Sequence, residues 1–175
     1  METRNQYTAK ERRVNHVNNR NIITVAPDKN YPTILKTLDQ DDNRILERYL
    51  HSHGKPAVLA SGYTVLKSEY DAAGNWISQT YLDDKLNPFT IRSGHTSIRR
   101  KYNSIGKIES EMYFDTDGLP AMDTYRKYGY RNEYDADGDV AATICLDSYR
   151  NTMNNSDHYA IIKKAYYADG KLHTE

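Results

Sequence analysis

The sequence contains a single cysteine, Cys145, and few of the residues that usually fill a hydrophobic core. One thiol cannot form a disulfide within the chain, so no disulfide framework holds the fold together. Two phenylalanines and one tryptophan stand beside 16 tyrosines, so most of the aromatic surface carries a polar hydroxyl. We therefore expect a thin core that is built largely from tyrosine rings.

The chain also lacks an excess of charge of either sign, with 24 basic against 24 acidic residues. Non-specific nucleic-acid binding relies on a positive field, which this composition does not supply. No apolar run approaches the roughly 18 residues of a membrane-spanning helix, and residues 22–26 are too few for the apolar part of a secretory signal. We expect neither a nucleic-acid partner nor a membrane span, and the sequence indicates no compartment.

A period of 32 residues organises the chain. Four glycines recur at this interval, and each follows a tyrosine by four positions: Gly74, Gly106, Gly138 and Gly170 after Tyr70, Tyr102, Tyr134 and Tyr166. A further column with the same spacing contains Tyr49, Tyr81, Tyr113 and Cys145. Independent columns that agree on one register indicate a tandem repeat.

The columns predict a tandem repeat domain over residues 30–175. The repeats lie near residues 30–61, 62–93, 94–125 and 126–157, with a partial repeat at 158–175. Residues 1–29 match the period poorly, and we interpret them as a polar leader or a degenerate half-repeat.

Each repeat is predicted to be a β-hairpin. The segment Tyr70–Asn75 is typical of a tight turn, because aspartate caps the amides of its own turn and glycine adopts a positive φ. Thr64–Tyr70 and Trp76–Leu82 flank it with β-branched and aromatic residues in partial alternation. A second turn follows, as at Asp115–Pro120. Glycine recurs inside every candidate helix, which excludes a helical solenoid.

The spacing of apolar residues predicts one apolar face for each hairpin. Leu66 precedes Tyr70 by four residues, and this even spacing places both on one face of a strand. Trp76 and Leu82 are six residues apart, which predicts a shared face on the return strand. A lone hairpin is marginal in water, so neighbouring repeats must pack together. The predicted fold class is all-β, with tandem 32-residue hairpins in an extended or solenoid-like antiparallel sheet array.

The motifs at Tyr70–Asn75, Tyr113–Pro120 and Gly62–Tyr63 resemble bacterial tandem tyrosine-rich β-hairpin repeats. They are similar to the YD repeats of Rhs-type proteins and, more loosely, to the repeats of choline-binding and cell-wall-binding modules. The 32-residue repeat is longer than a YD repeat, and Trp76 stands alone where cell-wall-binding modules carry paired tryptophans. The resemblance implies a bacterial surface, secreted or polymer-handling protein and carries over no catalytic residue.

Three candidates for site chemistry favour a structural interpretation. The aspartates of residues 135–139 lack the distal glutamate of a calcium loop, so they are typical of a turn. His51 and His53 have no third metal ligand nearby in the sequence. Cys145 occupies a tyrosine column, which favours packing over nucleophilic chemistry. We predict no metal, no cofactor and no enzymatic activity.

A tyrosine in every repeat is first a packing device, and the columns of Tyr70 and Tyr81 are predicted to form the core. The residues that open the repeats differ, because the ring is replaced in some of them, so exposure is expected there. Exposed rings stack on sugar faces or on quaternary ammonium groups. The predicted ligand-binding residues are Tyr31, Tyr63, His95 and Tyr159, together with Trp76.

Weak sites repeated along an array give multivalent binding. The sequence therefore predicts a non-catalytic module that binds a bacterial surface glycan or cell-envelope polymer, or that serves as a spacer at one. The alternative is a structural scaffold for protein interaction, whose edge strands pair with a partner or with a second copy.

Overall fold

The computed structural model describes residues 10–15, 31, 33–166 and 172–174. These residues form twelve β-strands and no helix. The strands are β1 Lys10–Asn15, β2 Thr33–Leu38, β3 Arg44–Leu50, β4 Val65–Tyr70, β5 Trp76–Leu82, β6 Ser97–Tyr102, β7 Ile108–Phe114, β8 Gly129–Tyr134, β9 Val140–Leu146, β10 Ile161–Lys163, β11 Ala165–Tyr166 and β12 Leu172–Thr174. Within these residues, no helix is long and apolar enough to cross a membrane. The predicted all-β class is confirmed.

The chain divides into two compact units, an N-terminal unit, Met1–Arg92, and a C-terminal unit, Ser93–Glu175. In the N-terminal unit, β1 to β5 pair antiparallel in sequence order. In the C-terminal unit, β6 to β10 do the same, and β11 pairs with β12 in a separate sheet. Tandem hairpins produce this order, because each strand pairs with the strands before and after it.

The first four repeats supply one hairpin each: β2–β3, β4–β5, β6–β7 and β8–β9. Residues 10–15 of the predicted leader form β1, and the other residues of 1–29 lie outside the described residues, as does Gly170. The predicted antiparallel hairpin repeat is therefore confirmed in both units.

A β-bulge recurs at the start of each return strand. Tyr70 pairs with Trp76 and Glu69 pairs with Ser78, so Ile77 is an extra residue on β5. The same shift occurs in the other three hairpins. An extra residue reverses the alternation of side chains beyond it.

The bulge corrects one prediction from the sequence, because Trp76 and Leu82 do not share a face. Trp76 pairs with Tyr70, on the same face as Tyr81, whereas Leu82 pairs with Val65 on the opposite face. A spacing of six residues predicts a common face only in a strand without a bulge. Each hairpin thus has a tyrosine face, with Tyr70, Trp76, Tyr81 and their equivalents, and an aliphatic face, with Val65, Leu82 and their equivalents.

Three turns of one design follow one another in each repeat. Each turn has a residue with positive φ at its fourth position, and these residues form three sets spaced by 32: Asp42, Gly74, Gly106 and Gly138; Gly54, Leu86, Gly118 and Arg150; Gly62, Gly94, Arg126 and His158. The sequence predicted the first two turns and missed the third. The repeat in sequence is therefore also a repeat of backbone conformation.

Aspartate caps seven of these twelve turns in the predicted way, and asparagine caps two others. Asp71 Oδ1 accepts hydrogen bonds from the backbone amides of Ala73 and Asn75 at 2.9 Å, and Asp71 Oδ2 accepts one from the Asn75 side chain at 3.1 Å. These donors hold the pKa of Asp71 below its ordinary value of 3.8, with the Asn75 side chain first among them. The ionised side chain therefore stabilises the turn.

The aliphatic face carries the buried cluster of the C-terminal unit: Met112, Phe114, Ala142, Ile144 and Leu146, with Tyr128 packed against it. The five buried residues come from the return strands β7 and β9. Gly129 on β8 lies beside them, where a Cβ would collide with the backbone of Glu111 and Met112. This cluster lies on the aliphatic face, and the tyrosine face also carries buried residues, among them Leu38, Tyr49, Tyr113 and Cys145.

Candidate functional site

The rings of the tyrosine face form a continuous row in the N-terminal unit, which we call the ladder. Ring centroids are 4.8 Å apart between Tyr31 and Tyr49, 5.9 Å between Tyr49 and Tyr63, and 4.9 Å between Tyr63 and Tyr81. The ladder alternates between the residue that opens a repeat and the tyrosine on its return strand. Edge-to-face and tilted contacts at these distances are favourable for aromatic pairs.

A buried carboxylate anchors the ladder at Tyr49. The Tyr49 hydroxyl donates a hydrogen bond to Glu47 Oε2 at 3.2 Å. Glu47 also forms ion pairs with Arg44 at 3.1 Å and with Lys36 at 3.8 Å. Burial raises the pKa of Tyr49, and the negative charge of Glu47 raises it further. The hydroxyl therefore keeps its proton and serves as a donor to the carboxylate.

The equivalent row in the C-terminal unit begins with a histidine. The His95 ring stacks on Tyr113, with centroids 4.7 Å apart and planes 15° from parallel. Only 5% of His95 is exposed, and burial lowers its pKa. A neutral imidazole therefore packs where other repeats have a phenol ring. The exposure that the sequence predicted for this residue is absent.

Lys127 opens the following repeat, 32 residues after His95, and takes the next place in this row. Lys127 Nζ lies 2.7 Å from Asp123 Oδ2. It also lies 4.9 Å from the ring centroid of Tyr125 and 5.9 Å from that of Tyr113. A largely buried ammonium needs such a partner, because removing a charge from water is costly. Lys127 and its counterion Asp123 therefore occupy the place in this row that a tyrosine ring has in the ladder of the N-terminal unit.

Cys145 follows Lys127 in the row and occupies the column of Tyr49, Tyr81 and Tyr113. Its side chain is much shorter than tyrosine, so the volume that a phenol ring takes elsewhere is left unfilled. A cleft of about 470 Å³ lies at this position, and Lys127, Cys145 and Tyr159, successive members of the row, all line it. We call it the cleft.

Four tyrosines form the aromatic part of the cleft: Tyr125, Tyr130, Tyr159 and Tyr166. Tyr125 is 57% exposed and Tyr159 is 37% exposed, so both rings offer surface to a ligand. The Tyr166 hydroxyl donates to the Val140 carbonyl at 3.2 Å. Burial and the neighbouring Glu111 carboxylate raise the pKa of Tyr130 to about 12. The hydrogen bond to Val140 therefore holds the Tyr166 ring against the sheet.

Polar side chains of the cleft are held in place by the sheet. Asn132 Nδ2 donates to the Ile108 carbonyl at 3.1 Å, and Asn132 Oδ1 accepts from the Thr143 hydroxyl at 3.0 Å. The Lys164 backbone amide donates to the Ala141 carbonyl at 2.8 Å. The remaining lining residues are Val140, Asn155 and Ile162. Fixed polar groups beside aromatic rings are typical of small-molecule sites.

The five residues predicted from the sequence fall in different surroundings. Tyr31 and Tyr63 are half-buried in the ladder, and Trp76 is half-buried on the tyrosine face. His95 is buried, and Tyr159 lines the cleft. The ladder therefore brings Tyr31 and Tyr63 into one row, and the cleft includes Tyr159 alone. A binding role for each of the five stays a prediction.

Sequence reasoning missed most of the cleft, although departures from the repeat mark its residues. Tyr125 stands in a column that has Ser61 and Ser93 in the preceding repeats. Tyr130 stands in a column that otherwise carries isoleucine or leucine. Departures of this kind, gathered in the fourth repeat and just before it, were the available signal.

The described residues contain no group of three or more His, Cys, Asp or Glu placed to hold a metal ion. Asp135 Oδ1 accepts hydrogen bonds from the amides of Asp137 and Asp139 at 3.1 and 2.8 Å, so it caps its own turn. Burial raises the pKa of the Cys145 thiol, which disfavours the reactive thiolate.

Comparison of the chain with protein-family models and with curated proteins finds no match.

Proposed function

We propose that this protein is a non-catalytic binding module for a glycan or related polymer of a bacterial cell envelope. The observation that supports this function is the cleft at Cys145, where exposed rings of Tyr125 and Tyr159 stand beside the fixed amide of Asn132. A sugar has an apolar C–H face that packs on an aromatic ring and hydroxyls that bond to amides. The cleft offers both kinds of contact in one place.

The size and chemistry of the cleft fit binding better than catalysis. About 470 Å³ lies within the range of roughly 300 to 1,000 Å³ that small-molecule sites occupy. This volume suits a short segment of a polymer. A nucleophilic cysteine needs a lowered pKa, whereas burial raises the pKa of Cys145. Asp123 holds Lys127 in place and offsets its charge, so this lysine is a fixed polar group of the site.

The alternative function, a scaffold that pairs edge strands with a partner, has weaker support. β1 is an edge strand of the N-terminal unit, and all of its residues are exposed. Four charged residues follow one another along it: Lys10, Glu11, Arg12 and Arg13. Charged side chains on an edge strand discourage pairing with another chain.

A screen of immobilised bacterial polysaccharides tests the proposed function. We expect retention of at least one glycan and a loss of its binding in Tyr159→Ala and Tyr125→Ala, with little change in melting temperature, because both rings are partly exposed. Tyr149→Ala is the matched control, since Tyr149 is 85% exposed in the same unit and does not line the cleft. Wild-type binding by Tyr159→Ala and Tyr125→Ala would contradict the proposal.

A further inference from the structure

We infer that the cleft selects a sugar that carries a carboxylate, and that the small side chain of Cys145 is what admits it. The inference rests on the proposed function and narrows the ligand to acidic glycans, such as those built from uronic acids. Three observations carry it: the charge of the lining, the nearness of cation and ring, and the interruption of the row at Cys145.

The lining of the cleft is positively charged. Lys127 and Lys164 both line it, and no carboxylate does so among the residues that the structure describes. Asp123 offsets the charge of Lys127, and Glu111, which lies beside Tyr130, pairs with Arg100. Among the described residues, the charge of Lys164 therefore leaves the lining net positive. A carboxylate gains charge-assisted hydrogen bonds in such a site. A quaternary ammonium ligand is disfavoured despite the aromatic rings, because the two lysines repel it.

A cation and two aromatic rings lie close together in the cleft. Lys127 Nζ lies 4.9 Å from the ring centroid of Tyr125, and Tyr159 is the next opening residue in the same row. A uronic acid presents an apolar C–H face to a ring and a carboxylate to an ammonium. A neutral sugar of the same shape gains the ring contact alone, so the cleft favours the acidic form.

The cleft lies where the row lacks the tyrosine of its return strand. In the preceding repeat, Tyr113 fills this column and stacks on His95. A tyrosine at position 145 would take up the space between Lys127 and Tyr159, which are its neighbours in the row. Cys145 therefore determines specificity through its small volume, and its thiol has no chemical role.

The test uses the full chain and two probes of equal length: a galacturonic acid trimer, and the same trimer with its carboxylates methyl-esterified. Titration calorimetry at low salt is expected to show about tenfold tighter binding of the acid form, the size of a charge-assisted hydrogen bond. Lys164→Gln is expected to weaken the acid form roughly threefold and to leave the ester unchanged.

Variants at position 145 test the role of its volume. Cys145→Tyr is expected to abolish binding of both trimers with an unchanged or higher melting temperature, whereas Cys145→Ser is expected to bind both as the wild type does. Cys145→Leu fills part of the cleft with a smaller side chain and serves if the tyrosine variant does not fold. Wild-type binding by a folded Cys145→Tyr or Cys145→Leu would overturn the role of Cys145.

The two levels of the proposal fail in different ways. Equal binding of the two trimers, or binding of neutral array glycans but of neither trimer, would overturn the acidic ligand class and leave the proposed function standing. Binding of no glycan on the array and of neither trimer would overturn both.

Discussion

The tyrosine faces of the two units carry different rows of side chains. In the N-terminal unit each position is a tyrosine, from Tyr31 to Tyr81, and successive rings touch. In the C-terminal unit the row contains a stacked histidine, an ion-paired lysine and a cysteine beside a cleft. The comparison shows that substitutions in two columns of a repeat replace a continuous row of rings with a cleft.

The hairpins of the two units share their bulges and their turn positions although the side chains differ. Each hairpin has the bulge at the start of its return strand, and the three turns keep their positive-φ residues at intervals of 32. Turns and strand pairing depend on local hydrogen bonds and on neighbouring repeats. Ladder residues therefore vary without disturbing the hairpins.

The largest expected effect separates the continuous ladder from the cleft. Tyr49→Ala should lower the free energy of unfolding by about 3 to 5 kcal/mol, because it removes a buried ring and the hydroxyl that bonds to Glu47. Tyr159→Ala should cost about 1 kcal/mol or less, because its ring is partly exposed. Urea unfolding measures both. Equal losses in the free energy of unfolding would mean that the two rings contribute equally to stability.

Glycine at the first turn is expected to contribute equally to the stability of the two units. Gly74→Val and Gly106→Val should each cost about 1 to 3 kcal/mol, because a β-branched residue resists a positive φ. A Cβ at either glycine meets no atom within 4 Å, so backbone strain alone is measured. Thermal unfolding checks the two variants. A difference of more than about 1 kcal/mol between them would break the equivalence.

A smaller effect, a gain in the free energy of unfolding, is expected at the second turn where a non-glycine residue with a positive φ is replaced by glycine. Leu86 in the N-terminal unit and Arg150 in the C-terminal unit both have φ of 70°. Leu86→Gly and Arg150→Gly should each stabilise the protein by about 0.5 to 1 kcal/mol, because glycine relieves this strain. Gly54→Ala, at the same turn position, should lose a similar amount. Melting temperatures that do not rise in either glycine variant would argue against strain at this position.

The smallest effect concerns acid. The pKa of Asp71 lies below its ordinary value of 3.8, so its ionised form stabilises the folded state. This contribution is complete above about pH 4 and is lost as the pH falls through the folded-state pKa. In the C-terminal unit, Asn103 caps the equivalent turn with an uncharged oxygen at 2.9 and 3.1 Å from two amides.

Asp71→Asn copies the cap of Asn103 and should therefore make stability less dependent on pH below about 4. Urea midpoints between about pH 2 and 6 measure the change. Asn103→Asp is the reciprocal variant and should add acid sensitivity to the C-terminal unit. An unchanged pH dependence in both variants would show that the caps contribute nothing through their charge.

Parts of the fold followed from short stretches of sequence. The 32-residue columns and the Asp-x-x-Gly turns predicted hairpins at the right places, because an aspartate cap and a glycine with positive φ act within five residues. The third turn was missed in every repeat, because its glycine does not recur: Gly62 and Gly94 are followed by Arg126 and His158. The bulge at Ile77 was missed because it is defined only by the pairing of two strands.

The candidate site was less predictable. Tyr159 was identified as a ring that opens a repeat, but the cleft around it also needs Tyr125, Tyr130 and Lys127. These residues are replacements of the common repeat residue, so a search for recurring columns passes over them. Their role in the candidate site depends on the volume that the smaller Cys145 side chain leaves beside them.

The repeat, its hairpins and its capped turns follow from the sequence alone, because these features arise from interactions within a few residues or from a strict period. Three further features become visible only in the folded chain: the face that each return-strand residue occupies, the burial of His95 and the cleft at Cys145. Those outcomes depend on side chains that different repeats bring together. The volume between such side chains is a property of the packed sheet and is written in no single segment of the chain.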